Sequence, residues 1–166
     1  MSIRWIENVS KSDIILGHHM NPGPNAMLIQ IMDPAEGFPT PKYSFKEVHQ
    51  FEFLDAEDKD GFPDECKISD EQATEIVRLL KHALDNSMNV IVHCHAGICR
   101  SGAVVEVATM MGFTATDRYR QPNLRVKHKM MKALGLSYDS NEKSSFTNGF
   151  ISDGGIMLPY EGLRYE

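Results

Sequence analysis

Val90 to Gly102 reads V-I-V-H-C-H-A-G-I-C-R-S-G, and the organisation of the whole chain follows from these residues. Val90, Ile91 and Val92 form a β-branched run bounded by turn residues, which predicts a buried strand ending at His93 and Cys94. A tight loop follows, and Ser101 to Met111 reads as a helix. A strand, a short loop and a helix N-terminus together make an anion site. Successive loop amides converge on one oxyanion there, and the helix dipole favours negative charge. Cys94 stands where a nucleophile would meet the bound group, and a helix N-terminus with a nearby cation favours the thiolate form of a cysteine. Arg100 offers two parallel donors to a phosphate. Gly97 permits the backbone angles that turn amides inward. Ser101 is suited either to N-cap the helix or to hold its hydroxyl near the sulfur. A structural buried Cys beside an ion-paired Arg is the plainer alternative, but it supplies no reason for this spacing.

Composition sets the frame around this stretch. A chain of 166 residues is long enough for one domain with a sizeable core, and 42% hydrophobic with 24% charged residues is ordinary for a globular protein. The net charge of −6 argues against non-specific nucleic-acid binding and leaves room for a local basic pocket. Three cysteines, Cys66, Cys94 and Cys99, do not make a disulfide framework and fit a reducing compartment. The N-terminal M-S-I-R-W-I-E-N-V-S has no long apolar core, and no run approaches membrane-spanning length. The expectation is a cytoplasmic protein without a cleaved signal or a membrane association.

Upstream, Ser2 to Ser10 suits a short strand or a helical turn, and Ile14 to Leu16 is a brief apolar run. His18 to Asn25 is a loop marked by N-P-G-P, and the adjacent His18 and His19 have no third metal ligand in range. Ala26 to Met32 reads as a buried strand stopped by Asp33-Pro34. Val48 to Leu54 alternates in part and reads as a strand with Phe51 and Phe53 on one face. It leads into the acidic segment D-A-E-D-K-D-G-F-P-D-E, Asp55 to Glu65. Asp58, Asp60 and Gly61 match the middle of a calcium loop, but the first and last ligand positions fall on Ala56 and Lys67. A mobile loop carrying a proton donor fits better, with a solvated acidic face as the alternative. Ser69-x-x-Gln72 is a capping box that opens a helix with Ala73, Ile76, Leu79, Leu80, Ala83 and Leu84 on one face, ending at Asn86-Ser87. The helix after the loop buries Val104, Val105, Val107, Ala108 and Met111 and stops at Gly112. Pro122 opens another helix, with Leu124, Val126, Met130, Ala133 and Leu134 apolar, ending at Gly135. Ser137 to Asn148 is polar and lacks periodicity, and Gly149 to Glu166 carries apolar residues that suit an irregular tail docked on the domain, so the division expected is a domain over 1–136 and a C-terminal extension over 137–166 that could pack on it.

The series His93-Cys94-x5-Arg100-Ser101 resembles the signature of the cysteine-based protein tyrosine phosphatases. The element order over Ile14 to Leu136 is similar to the compact, dual-specificity branch of that superfamily. There an acid loop precedes a helix and then the signature strand. Phe53-Leu54-Asp55 resembles the opening of the acid loop in several members, and Pro122-Asn123 stands where members carry a Pro-Asn pair before the last core helix. The resemblance implies an α/β fold with one central, mostly parallel sheet of four to five strands flanked by helices. It implies two-step phosphoryl transfer without metal or other cofactor. Cys94 would be the nucleophile, and Arg100 with the amides of His95, Ala96, Gly97, Ile98 and Cys99 would bind the phosphate. Ser101 would assist release of the thiolate, and His93 would order the loop. Asp55 is the expected general acid, with Asp58 and Asp60 as alternatives.

The implied substrate is a phosphorylated protein or peptide bearing phosphotyrosine, with phosphoserine and phosphothreonine left open and no nucleic-acid partner expected. Two other functions compete. A phosphatase for a phosphoinositide or an RNA 5′ end is disfavoured by the absence of Lys from the loop and by the acidic balance. A phosphate-binding pseudoenzyme is disfavoured by the intact Cys94 and Arg100. Cys99 before Arg100 resembles the low-molecular-weight tyrosine phosphatases, although Cys94 lies well inside this chain. It leaves open whether Cys99, or less readily Cys66, could trap an oxidised Cys94 as a disulfide.

Overall fold

The computed structural model describes residues 4–137. The expected extension falls outside the described residues apart from Ser137. Five strands form a single all-parallel sheet: β1 (Trp5–Val9), β2 (Ala26–Met32), β3 (Glu47–Glu52), β4 (Asn89–His93) and β5 (Thr114–Ala115), in the spatial order β3-β2-β4-β1-β5. Four helices accompany them: α1 (Lys11–Leu16), α2 (Asp70–Asp85), α3 (Arg100–Met111) and α4 (Leu124–Ala133), with a short 3-10 turn at Asp64–Cys66. The architecture is the expected α/β one.

The apolar strands at the centre explain the layering. Every residue of β2 is buried, and β4 is buried from Val90 to His93, as a parallel sheet covered on both faces requires. Alternate residues divide between two cores. Met27, Ile29, Ile31, Val90 and Val92 join the large cluster beneath α2, α3 and α4. Leu28 and Ile91 join Val9 and Ile14 in a small cluster on the other face, where Trp5 and Phe45 lie against them. The edge strand β3 instead alternates, with Val48, Gln50 and Glu52 exposed and Phe51 packed on the large core.

The capping box forms as read: Ser69 Oγ accepts from the Gln72 amide at 3.0 Å and Gln72 Oε1 accepts from the Ser69 amide at 3.0 Å. α3 differs from a surface helix because its first six residues are all buried, so it is a core helix without a polar stripe. Ile14 to Leu16 falls in a helix, α1, whose own Ser10–Asp13 capping box starts it. Three readings change. β3 ends at Glu52, and Phe53 turns into the large core beyond it. α3 begins at Arg100 with Cys99 at the N-cap position, so Ser101 is not the cap. Met111 is only partly buried. The two-residue β5 had no recognisable apolar run, and it exists only because β1 pairs with it.

The parallel strands all end at one side of the sheet. Asp33 follows β2, Leu54 and Asp55 follow β3, and the Cys94 loop follows β4. Open parallel sheets bind ligands there, outside the carboxyl ends of their strands.

Candidate active site

The carbonyls of the loop between β4 and α3 are held from outside, which leaves its amides free to turn inward. His95 O accepts from the Lys11 amide at 3.1 Å, Ile98 O from the Gln121 amide at 3.2 Å, and Cys99 O from the Asn123 amide at 2.9 Å. Gly97 O accepts from the side-chain Nδ2 of buried Asn8 at 2.8 Å. With the carbonyls tied to α1, β1 and the 119–123 segment, the opposite edges of the peptide units face the loop's centre. Gly97 is required twice. Its φ of 76° is left-handed, and a Cβ there would collide with the backbone of Val9 and Ser10.

Cys94 lies at the foot of this loop, and its side chain is almost fully buried. Its Sγ takes a hydrogen bond from the Gly97 amide at 3.3 Å and lies 3.2 Å from Ser101 Oγ. Of the two roles open to Ser101, the structure therefore has the hydroxyl beside the sulfur. His93, just behind, is fully buried, and its Nδ1 lies 3.1 Å from the Cys94 carbonyl. Burial pushes its pKa down to about 4, with the charges of Lys11 and Arg100 adding to the effect.

Asp33, Leu54, Asp55, Phe62, Cys94, His95, Ala96, Cys99 and Arg100 line an open cleft of about 340 Å³. Asp55 thus lines the same cleft as Cys94 and Arg100, while the other acid-loop carboxylates are engaged elsewhere. Asp58 pairs with Arg125 at 2.7 Å and Asp60 with the buried Lys67 at 3.2 Å. Asp55 Oδ1 accepts from Asn123 Nδ2 at 2.8 Å, and the same Nδ2 reaches the Ala56 carbonyl at 3.1 Å. Asn123 also caps α4 through its Oδ1, which accepts from the Val126 amide at 3.0 Å. One side chain thereby fixes both a helix start and the acid loop. Cys99 is buried beside Asp55 and hydrogen-bonds it. Burial pushes the Cys99 thiol far up, and the charges of Asp55 and Cys94 push it further. All three cysteines are free thiols.

Two contributors escaped the sequence reading. Asp33 was read as a strand stop, and it makes an ion pair with Arg100 at 2.7 Å. Asn8 left one signal, since with Glu7 it is one of two polar residues in β1, and a polar group buried there needs a partner. The identity of that partner was beyond sequence reading. His95 contributes its backbone to the loop while its ring lies outward, 3.4 Å from Glu36. Ala96 lines the cleft, and Ile98 contributes its carbonyl to the outer ties.

A loop of this construction can accept a tetrahedral oxyanion, and it shares its cleft with the Cys94 sulfur and the Asp55 carboxyl. A family model described as a polymorphic toxin system DSP-PTPase phosphatase matches residues 60–112. The matched segment runs from the acid loop through α2, β4 and the Cys94 loop to just past α3. No curated protein matches the chain. Among the described residues no helix is long and apolar enough to cross a membrane. The match covers about a third of the chain, and over those residues, within a parallel α/β architecture consistent with the likeness, the protein is similar to a dual-specificity-type phosphatase of the cysteine-based protein tyrosine phosphatase superfamily.

Proposed function

We propose that this chain is a cysteine-dependent phosphoprotein phosphatase that hydrolyses phosphotyrosine through a phosphocysteine intermediate, with phosphoserine and phosphothreonine as further candidate substrates. The observation that carries it is Cys94 Sγ, bonded by the Gly97 amide, in a cleft that Asp55 and Arg100 also line. A phosphate dianion docks on the amides from His95 to Arg100 and on the Arg100 fork. The Cys94 thiolate attacks phosphorus in line, a P–S bond forms, and the P–O bond to the leaving group breaks. Asp55 gives its proton to the departing oxygen. In the second step it accepts a proton from water, which attacks phosphorus and releases orthophosphate and the thiolate. The Ser101 hydroxyl, 3.2 Å from the sulfur, stabilises that thiolate as it leaves. The transition state is loose, so fixed amides and a fixed guanidinium supply most of the acceleration.

Leu54, Phe62 and Ala96 give the cleft apolar walls, which suits an aryl leaving group. The loop contains no Lys for a second phosphate, which argues against phosphoinositides. The test is turnover of p-nitrophenyl phosphate and of a phosphotyrosine peptide by the full chain. Cys94→Ser should abolish both while retaining orthophosphate binding, and acid quench of the wild type should trap phosphate on the protein. Asp55→Asn should slow the phosphopeptide by about 10²–10⁴-fold and p-nitrophenyl phosphate, with its better leaving group, far less. Turnover that survives Cys94→Ser would overturn the proposal.

A further inference from the structure

Arg100 is buried, with 4% of its surface exposed, yet its guanidinium is only half used. The Nη1 corner is held twice, donating to Asp33 Oδ1 at 2.7 Å and to the Phe53 carbonyl at 2.7 Å. Nε is buried and has no hydrogen-bond partner. A buried charged donor left unpaired costs free energy, and a native fold keeps one where a ligand completes it. Nε and Nη2 form the edge that meets an oxyanion with two parallel bonds. Two acceptors on one nitrogen stop a planar guanidinium from swinging, so the free edge keeps its aim.

We propose that Asp33 is a positioning residue for phosphoryl transfer, locking Arg100 at Nη1 so that the Nε–Nη2 edge faces the bound phosphate. The proposal rests on the phosphatase reading of the loop and assigns Asp33 a role distinct from that of Asp55. Asp33 accepts from Arg100 and acts through it, whereas Asp55 faces the leaving group. The lock comes from the opposite side of the site, since Asp33 is placed by the end of β2 and Arg100 by the start of α3. The carboxylate also stands partly exposed in the same cleft as the incoming dianion. Its charge therefore works against phosphate affinity while its geometry works for the transition state.

These opposed effects separate in kinetics. In Asp33→Ala, kcat for p-nitrophenyl phosphate should fall about 10- to 100-fold, because small misplacements of a clamp are costly. Inhibition by orthophosphate should stay within about threefold of wild type or tighten. Asp33→Asn keeps the Oδ1 acceptor and should restore most of kcat, and it is near enough in shape to fold if the alanine variant does not. Asp33→Ala should keep the pH limb of kcat that Asp55→Asn removes. An independent readout needs no turnover: adding orthophosphate should protect the Arg100 Nε–H from solvent exchange, by NMR, in wild type and Asp33→Asn but not in Asp33→Ala. A wild type that binds orthophosphate with this protection but hydrolyses nothing would sink the phosphatase reading and leave the lock standing. Folded Asp33→Ala with kcat within about twofold of wild type, or with its Nε–H protected as in wild type, would overturn the lock.

Discussion

His93 shows how one residue behind the reacting atom couples the site to stability. The ring is fully buried, its Nδ1 is bonded to the Cys94 carbonyl, and its Nε2 has no partner. Burial holds the folded pKa at about 4, against 6.5 for the ordinary side chain. The unfolded chain therefore takes up this proton first, and the stability owed to a neutral His93 drains away as pH falls from 6.5 toward about 4. By pH 5 the loss from this residue should be about 2 kcal/mol. His93→Gln should flatten the difference in urea midpoint between pH 7 and pH 5, and an unchanged difference would refute the assignment. The neutral ring also fits His93 as an organiser of the loop and not as a proton carrier. Cys99 contrasts with it. Buried against the Asp55 carboxylate, it is held as a thiol.

At the scale of elements, two helix starts with similar caps carry different consequences. Ser69 caps α2 away from the cleft, and its partner Gln72 also donates to the Glu52 carbonyl at 3.1 Å. Asn123 caps α4 and in addition holds Asp55. Ser69→Ala should cost about 1 kcal/mol in urea unfolding and leave kcat unchanged. Asn123→Ser keeps a capping hydroxyl but removes the donor to Asp55, so kcat should fall with little loss of stability. If the two variants changed stability and turnover in parallel, Asn123 would be a cap and nothing more. The acid loop gains further anchors from Lys67, which pairs with Asp60, and Arg125, which pairs with Asp58 and donates to the Ile68 carbonyl. The acidic run is thus mostly a set of ties to α4 and to the segment before α2.

Across the whole molecule, the sheet decides what the site can be. Ile29 sits at the middle of β2 with both neighbouring strands paired, in the large core under three helices. Ile29→Ala should cost about 2–5 kcal/mol in urea unfolding, with kcat at pH 7 unchanged while the protein stays folded. A loss well below 1 kcal/mol would mean that the core is less tightly packed at this position than its burial implies. Much of this architecture was readable from residues alone, because it is written in local pattern. The run Ala26–Met32, the β-branched Val90 to Val92 and the capping box at Ser69 each carry their own conformational preference, and a Cys followed six residues later by an Arg on a helix start needs only local geometry to bring both into one cleft. What the sequence by itself determined is thus the strand, the loop and the helix around Cys94, and the α/β alternation that supports them. The pairing of Asp33 with Arg100, of Asn8 with Gly97 and of Asn123 with Asp55 was decided only by the tertiary structure, across 67, 89 and 68 positions of chain. A lone polar residue states that it needs a partner, and only the packing of parallel strand ends onto one side of the sheet determines which partner it meets.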